Sequence, residues 1–230
     1  MAETARSHVL KELAARIELI SDGRPIRVAI DGRTASGKTT FADALAATVA
    51  DLGRPTIRSS IDGFHRPKAE RYARGRHSPE GYYFDARDLP AIRRLLLDPL
   101  GPDGSRVYRT ASFDLEADCP IEYPPSVAPL EAVLIVDGTF LQRPELLDGW
   151  DMVIFLRVSE AESVRRGIER DSDLLGGRET ATALYAKRYA PAEDIYAAIA
   201  RPEEAADAIV DNEDFDRPVL TFNPNGRLGV

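Results

Sequence analysis

Gly32-Arg33-Thr34-Ala35-Ser36-Gly37-Lys38-Thr39 sets two glycines five residues apart and follows the second with a lysine and a hydroxyl side chain. That spacing suits a polyphosphate. Backbone N–H groups around such a loop point inward at β-phosphate oxygens, and a helix beginning there adds its unsatisfied N-terminal donors and the positive end of its dipole. Gly32 and Gly37 supply room for the backbone. Lys38 is placed to reach the β- and γ-phosphates, and Thr39 to ligate a magnesium ion bridging them. Thr34, Ala35, Ser36 and Thr40 complete the expected nucleotide-binding set.

Two carboxylates at expected strand ends add to this cradle. Asp62 precedes Gly63-Phe64-His65, and a carboxylate there can accept the proton of an acceptor hydroxyl or orient it near the magnesium shell. An Asx-turn residue is the structural alternative. Asp137 ends the apolar run Val133-Leu134-Ile135-Val136, where it can hold magnesium through a water. His65 is read either as a substrate contact or as a local hydrogen-bonding group. Arg166 and Arg170 on one side of Gly176-Gly177, with Arg178 on the other, suit a lid over residues 171–178. Guanidinium groups can neutralise transferring charge, and closure expels water; the alternative is a solvated helix terminus.

The elements that must position these groups alternate between strand and helix. Residues 26–30 read as a buried strand, 39–52 as a helix with Phe41, Leu45 and Val49 at helical spacing, and 56–61 as a second strand delivering Asp62 to the carboxyl end of a parallel sheet. Residues 131–136, 152–156 and 206–212 supply three more strands, and 5–20, 89–97, 159–170 and a stretch beginning near 179 supply helices. In the first helix Val9, Leu10, Leu13, Ile17, Leu19 and Ile20 form the apolar stripe; in 159–170 Ala161, Val164 and Ile168 face inward. The expected fold is α/β: a five-stranded, mainly parallel sheet with helices on both faces. A small acceptor-side insertion spans 98–128, where Tyr108 and Phe113 are placed to wall the acceptor. Residues 67–79, with Lys68, Arg71, Arg74 and Arg76, read as a mobile basic surface segment. In residues 81–85, Phe84 is read as core or acceptor cover, and Asp85 as a helix cap or an acceptor for sugar hydroxyls. The tail from 217 to 230 carries no structural signal.

A chain of 230 residues suits one domain with a modest insertion. Thirty basic against 38 acidic residues, a net charge of −8, argues against a broad nucleic-acid surface and leaves room for a local basic pocket. One cysteine permits no intrachain disulfide, and three histidines form no metal-ligand cluster with it in sequence. Residues 1–21 lack a signal-peptide apolar core and no stretch is long and apolar enough to span a bilayer, so a cytoplasmic protein without membrane or nucleic-acid partners is expected. A homo-oligomer remains open.

Over roughly residues 24–212 the chain resembles the phosphoribulokinase and uridine kinase group of P-loop kinases, with some features of pantothenate kinases. The loop at Gly32–Thr39 matches that family's phosphate loop, and Arg166-Gly167-Ile168-Glu169-Arg170-Asp171 its arginine run before the lid. The resemblance implies a P-loop NTPase fold and transfer of the γ-phosphoryl group from ATP, or GTP, with Mg²⁺, to a small-molecule hydroxyl. It places the catalytic carboxylate at Asp62, the strand-end acid at Asp137 and the lid arginine at Arg178. It also puts nucleoside contacts on Tyr83, Phe84 and Asp85, making uridine or cytidine the leading acceptor. The base-contacting histidine of uridine kinases has no counterpart in residues 113–118, and nicotinamide riboside, pantothenate and sugars stay open. Two other classes remain beside the kinase: a nucleoside triphosphate hydrolase and a nucleotide-gated binding protein.

Overall fold

A computed structural model describes residues 4–20 and 22–227. Readings that fall on residues 1–3, 21 and 228–230 lie outside the described residues.

The sheet grows from β1, Ile26–Gly32, whose seven residues are all buried. Its near-continuous apolar run follows from being covered on both faces, as parallel strands are. Val28 and Ile30 face one side with α1 (Ala5–Glu18) and α2 (Lys38–Asp51), while Ala29 faces the other. The remaining strands are β2 (Thr56–Ser60), β3 (Val133–Asp137), β4 (Met152–Arg157), β5 (Ala208–Asp211) and β6 (Val219–Phe222). Their order is β6-β5-β4-β1-β3-β2, parallel except for the β6–β5 pair. The sheet thus has six strands, one more than expected. β6 gives a weak signal because only four residues separate Pro218 from Asn223-Pro224, and their sides alternate exposed and half-buried at the sheet edge.

Register sets the site. Ile30 pairs with Asp137, and Asp137 with Ser60, so the ends of β1, β3 and β2 lie level. Asp62 sits two residues beyond, in a tight turn that the Ser60 side chain caps by accepting from the Asp62 N–H.

α1 and α2 pack together through Val9, Leu13, Ile17, Phe41, Leu45 and Val49 over one sheet face. Leu19, expected in the α1 stripe, is 75% exposed because the helix ends at Glu18. On the other face Leu89, Ile92, Leu96 and Leu97 pack with Trp150 and Phe155. The insertion forms two short ladders, Val107–Tyr108 with Ser126–Val127 and Phe113–Asp114 with Cys119–Pro120. The basic segment is more ordered than expected: Lys68–Arg71 is helical, and the buried Arg71 donates to Asp118 at 2.7 Å. α3 (Glu160–Asp171) starts at a Ser159 cap and buries Ser163, Gly167 and Ile168. Of the expected inward set, Val164 is half-buried and Ala161 exposed, because the helix is set a few tens of degrees round from the apolar stripe. After turns at 172–177, residues 178–200 run on as one helical stretch: α4 (Arg178–Leu184), a wide turn over Tyr185–Tyr189, and α5 (Ala190–Ala200). Among the described residues no helix is long and apolar enough to cross a membrane.

Candidate active site

The loop after β1 closes on itself. Gly37, with φ +91°, turns the chain into α2, and a side chain at Gly32 would sit 2.5 Å from the Leu156 carbonyl of the neighbouring strand. Both positions therefore require glycine. Lys38 is buried, and its Nζ donates to the carbonyls of Gly32 at 2.9 Å and Arg33 at 2.6 Å. Desolvation lowers its pKa, opposed by the charges of Glu193, Asp31, Asp137 and Asp62. The Ser36 hydroxyl and the Thr34 hydroxyl are buried without a hydrogen-bond partner. Such orphaned groups in a loop of inward-facing donors suit phosphate oxygens.

At the end of β3, Asp137 accepts from the Thr39 hydroxyl at 2.7 Å and from Arg58 of β2 at 2.8 Å. No group of three or more His, Cys, Asp or Glu side chains among the described residues could hold a metal by itself. A hydroxyl beside one carboxylate is nevertheless a fitting donor set for magnesium, which keeps waters and binds through one or two carboxylates together with substrate phosphates.

Lys38, Thr39 and Asp137 line one cleft of about 470 Å³ together with Thr34, Ala35, Gly37 and Thr40. Asp62, Tyr82, Arg87, Leu115, Tyr189, Arg166 and Arg170 line the same cleft. Asp62 keeps a side chain 66% exposed to this space, with Oδ1 bound to Arg87 at 2.6 Å. Desolvation works against its charge, but Arg87, His65 and Lys38 outweigh it and hold the carboxyl below its ordinary pKa. His65 does not line the cleft. Its Nδ1 lies 2.8 Å from the Asp62 carbonyl, which can only accept, so Nδ1 carries the proton and Nε2 accepts from Arg87. Burial and the Arg87 charge push its pKa down to about 4, leaving a neutral imidazole that orients Arg87.

The remaining expected site residues divide. Arg166 lines the cleft, anchored by Glu162 and the carbonyls of Asn212 and Glu213. Arg170 does too, paired with Asp171. Arg178 is exposed at the start of α4 and outside the cleft. Tyr83 is buried among Phe140, Tyr196 and Ala192, Phe84 is exposed beside it, and Asp85 pairs with Arg74. Tyr108 packs on the core and Phe113 is buried in the insertion. None of these five lines the cleft; for Tyr83, Phe84 and Asp85 the wide helical turn over Gly81–Asp85 places Tyr82, one residue earlier, there instead.

Sequence reasoning also missed a layer beneath the loop. From α5, Glu193 accepts from the Thr34 N–H at 3.1 Å, and the Tyr196 hydroxyl donates to the buried Asp31, which also accepts from Gln142 at 3.0 Å. Glu193 is buried, and desolvation pushes its pKa up to about 7 against the pull of Lys38. The only available signal was polar residues on the apolar side of a helix.

No family model matches the chain, and no curated protein sequence does. Solved structures do. A protein provisionally described as a uridine kinase from Bacillus stearothermophilus superposes with a TM-score of 0.68 at 23% identity, covering 87% of this chain and 96% of that one. The fold is that of the P-loop kinases. A provisionally described fructose transport system kinase from Silicibacter sp. TM1040 follows with a TM-score of 0.66 at 23% identity, over 83% of this chain and 95% of that one. A D-glycerate 3-kinase from Cryptococcus neoformans var. grubii gives 0.55 at 12% identity, over 81% and 87%. The loop after β1 and the Asp137 strand end are adjacent through the β1–β3 pairing, and Asp62 lines the same cleft.

Proposed function

We propose that this chain is an ATP-dependent small-molecule kinase that transfers the γ-phosphoryl group to an alcohol hydroxyl. The observation that carries the reading is that Lys38, Thr39 and Asp137 share one cleft with an exposed Asp62 whose pKa is held down. A hydrolase needs no such second wall. Lys38 leaves its loop carbonyls for the β- and γ-phosphates, and the Thr34 hydroxyl takes up a phosphate oxygen, while Ser36 is buried and does not line the cleft. Thr39 and Asp137 would hold magnesium, which would supply charge neutralisation to the phosphates.

Asp62 does the work at the acceptor. Its Oδ1 is fixed by Arg87, and Oδ2 has no protein partner among the described residues. That oxygen accepts the hydrogen bond of the incoming hydroxyl and aims its lone pair at the γ-phosphorus. Its depressed pKa makes it a weak base, which suits a loose transition state in which the proton leaves late. Arg166 and Arg170 stabilise the equatorial oxygens. The reading takes the acceptor no further than a hydroxylated small molecule. A uridine or cytidine assignment rests on the resemblance, and the side chains it relied on, Tyr83, Phe84 and Asp85, are turned away from the cleft.

An ATP-coupled screen of small alcohols with mass-spectrometric product identification tests the reading. Asp62→Asn is expected to keep ATP binding and lose roughly 10²- to 10⁴-fold of transfer, while Lys38→Ala weakens ATP binding itself. Unchanged transfer in Asp62→Asn removes that residue's role. Rapid acceptor-free ATP hydrolysis with no phosphorylated product replaces the kinase by a hydrolase.

A further inference from the structure

The acceptor half of the cleft carries more positive charge than a neutral alcohol needs. Arg87 lines it, and Arg188 lies one layer behind, stacked on Tyr82 at 5.0 Å and Tyr72 at 4.8 Å. Arg188 is 4% exposed, and its one hydrogen bond runs from Nη1 to the Arg76 carbonyl. Among the described residues no carboxylate pairs with it, and its Nε has no partner. The Nε of Arg87 is likewise buried and unpartnered. A buried charge without a counter-ion is costly unless something repays it, and this chain, with 38 acidic residues against 30 basic, has acids to spare. Burial lowers the Arg188 pKa, and the Arg87 charge adds a smaller push in the same direction against the neighbouring tyrosines. A site that tolerates this is arranged for an anion arriving from outside.

We propose that the acceptor carries an anionic group, a carboxylate or a phosphate, beside the hydroxyl that is phosphorylated, and that Arg87 binds it with Arg188 reinforcing from behind Tyr82. This rests on the kinase reading of the same cleft. Tyr82 and Tyr189 line the space beside Arg87, and neither hydroxyl has a protein partner among the described residues, so both can donate to the anionic oxygens. The Asp62–Arg87 pair then has two functions at once: Arg87 holds the carboxylate that orients the hydroxyl and reaches the group that distinguishes the substrate.

The test uses matched acceptors that differ in the anion alone: glycerate against glycerol, pantothenate against pantothenol, and ribose 5-phosphate against ribose. For the pair that fits, the acidic member is expected to show a kcat/KM at least about 100-fold above its neutral partner. Whether it comes from the carboxylate or the phosphate arms identifies the anion. Arg188→Gln is expected to raise KM for the acid at least about 10-fold, far more than for the neutral partner, with kcat little changed. Arg188→Lys, which keeps the charge, retains the preference and guards against a folding defect. Transfer to neutral members alone, equal use within every pair, or an equal KM rise for both members in Arg188→Gln overturns the proposal and leaves the kinase reading standing. Acceptor-free hydrolysis with no member phosphorylated overturns both.

Discussion

Glu193 shows how one side chain can govern a loop it does not belong to. Its carboxylate receives the Thr34 N–H, a donor inside the phosphate cradle, in a site that water does not reach. Its pKa is raised to about 7 in the folded chain against 4.5 when unfolded, so between those values the native state binds the extra proton. Its stabilising contribution is full below about pH 4.5 and is lost as pH rises through about 7. Glu193→Gln, which keeps an acceptor for Thr34 without a titrating group, is therefore expected to gain stability relative to the parent as pH rises from 4.5 to 8. The gain is on the order of 3 kcal/mol for a shift of that size, and urea denaturation at a series of pH values measures it. Parallel stability curves for the two proteins would remove the titration from Glu193.

That residue also marks where the sequence stops being legible. Gly32, Lys38 and Thr39 stand out because their spacing pattern fits within eight positions, Asp137 because it ends an apolar strand, and Asp62 because it follows a strand by two residues. Glu193 and Arg87 act on groups 159 and 25 positions away in the chain, Tyr82 shares a cleft with the loop after β1, and nothing in their own surroundings announces it. Tyr83, Phe84 and Asp85 failed for a subtler reason. A five-residue wide turn rotates the segment away from the phase an ordinary helix or strand would give it, exchanging Tyr82 for its neighbours at the cleft.

At the scale of elements, the turns at 172–177 follow α3, whose two cleft-side arginines are unequal. Arg166 is tied to the backbone after β5, whereas Arg170 is exposed and held by its neighbour Asp171, which also accepts from Tyr185 at 2.7 Å. Arg166 is thus a fixed wall and Arg170 a movable one. Leu174, between them and α4, is 88% exposed. Closure on substrates is expected to order this segment, so amide exchange across residues 171–178 should slow when a non-hydrolysable ATP analogue and an acceptor are bound together. Equal exchange in the free and doubly bound protein would leave these arginines as surface charge. Exchange at residues 160–168 should hardly change, since α3 packs on the loop through Ser163, whose hydroxyl donates to the Thr34 carbonyl at 2.6 Å. The sixth strand belongs to the same lesson as the wide turn: four half-exposed residues after a proline are recognisable as a strand only beside β5.

Across the whole molecule, the helical stretch 178–200 touches both halves of the cleft. Arg188 and Tyr189 stand at its acceptor wall, while Glu193 and Tyr196, one and two turns further on, reach the loop residues Thr34 and Asp31. On the proposed kinase reading, this helical stretch contacts the seats of both substrates and is the element through which binding of one would act on the other. Thermodynamic reciprocity then fixes the form of the effect: whatever factor the acceptor applies to the affinity for ATP, ATP must apply to the affinity for the acceptor. Calorimetric titration of a non-hydrolysable ATP analogue with and without a saturating acceptor is expected to show a coupling factor of about 5 or more, equal in both directions. Loss of that factor in Glu193→Gln, with either ligand still binding alone, would locate the conduit in α5. A ratio near one in the unaltered protein would mean that the two seats are independent. If the coupling is positive, encounter order becomes a property of a single helix: the enzyme spends its nucleotide when an acceptor has already taken hold of the far end, and idle turnover is suppressed by mechanics rather than by chemistry.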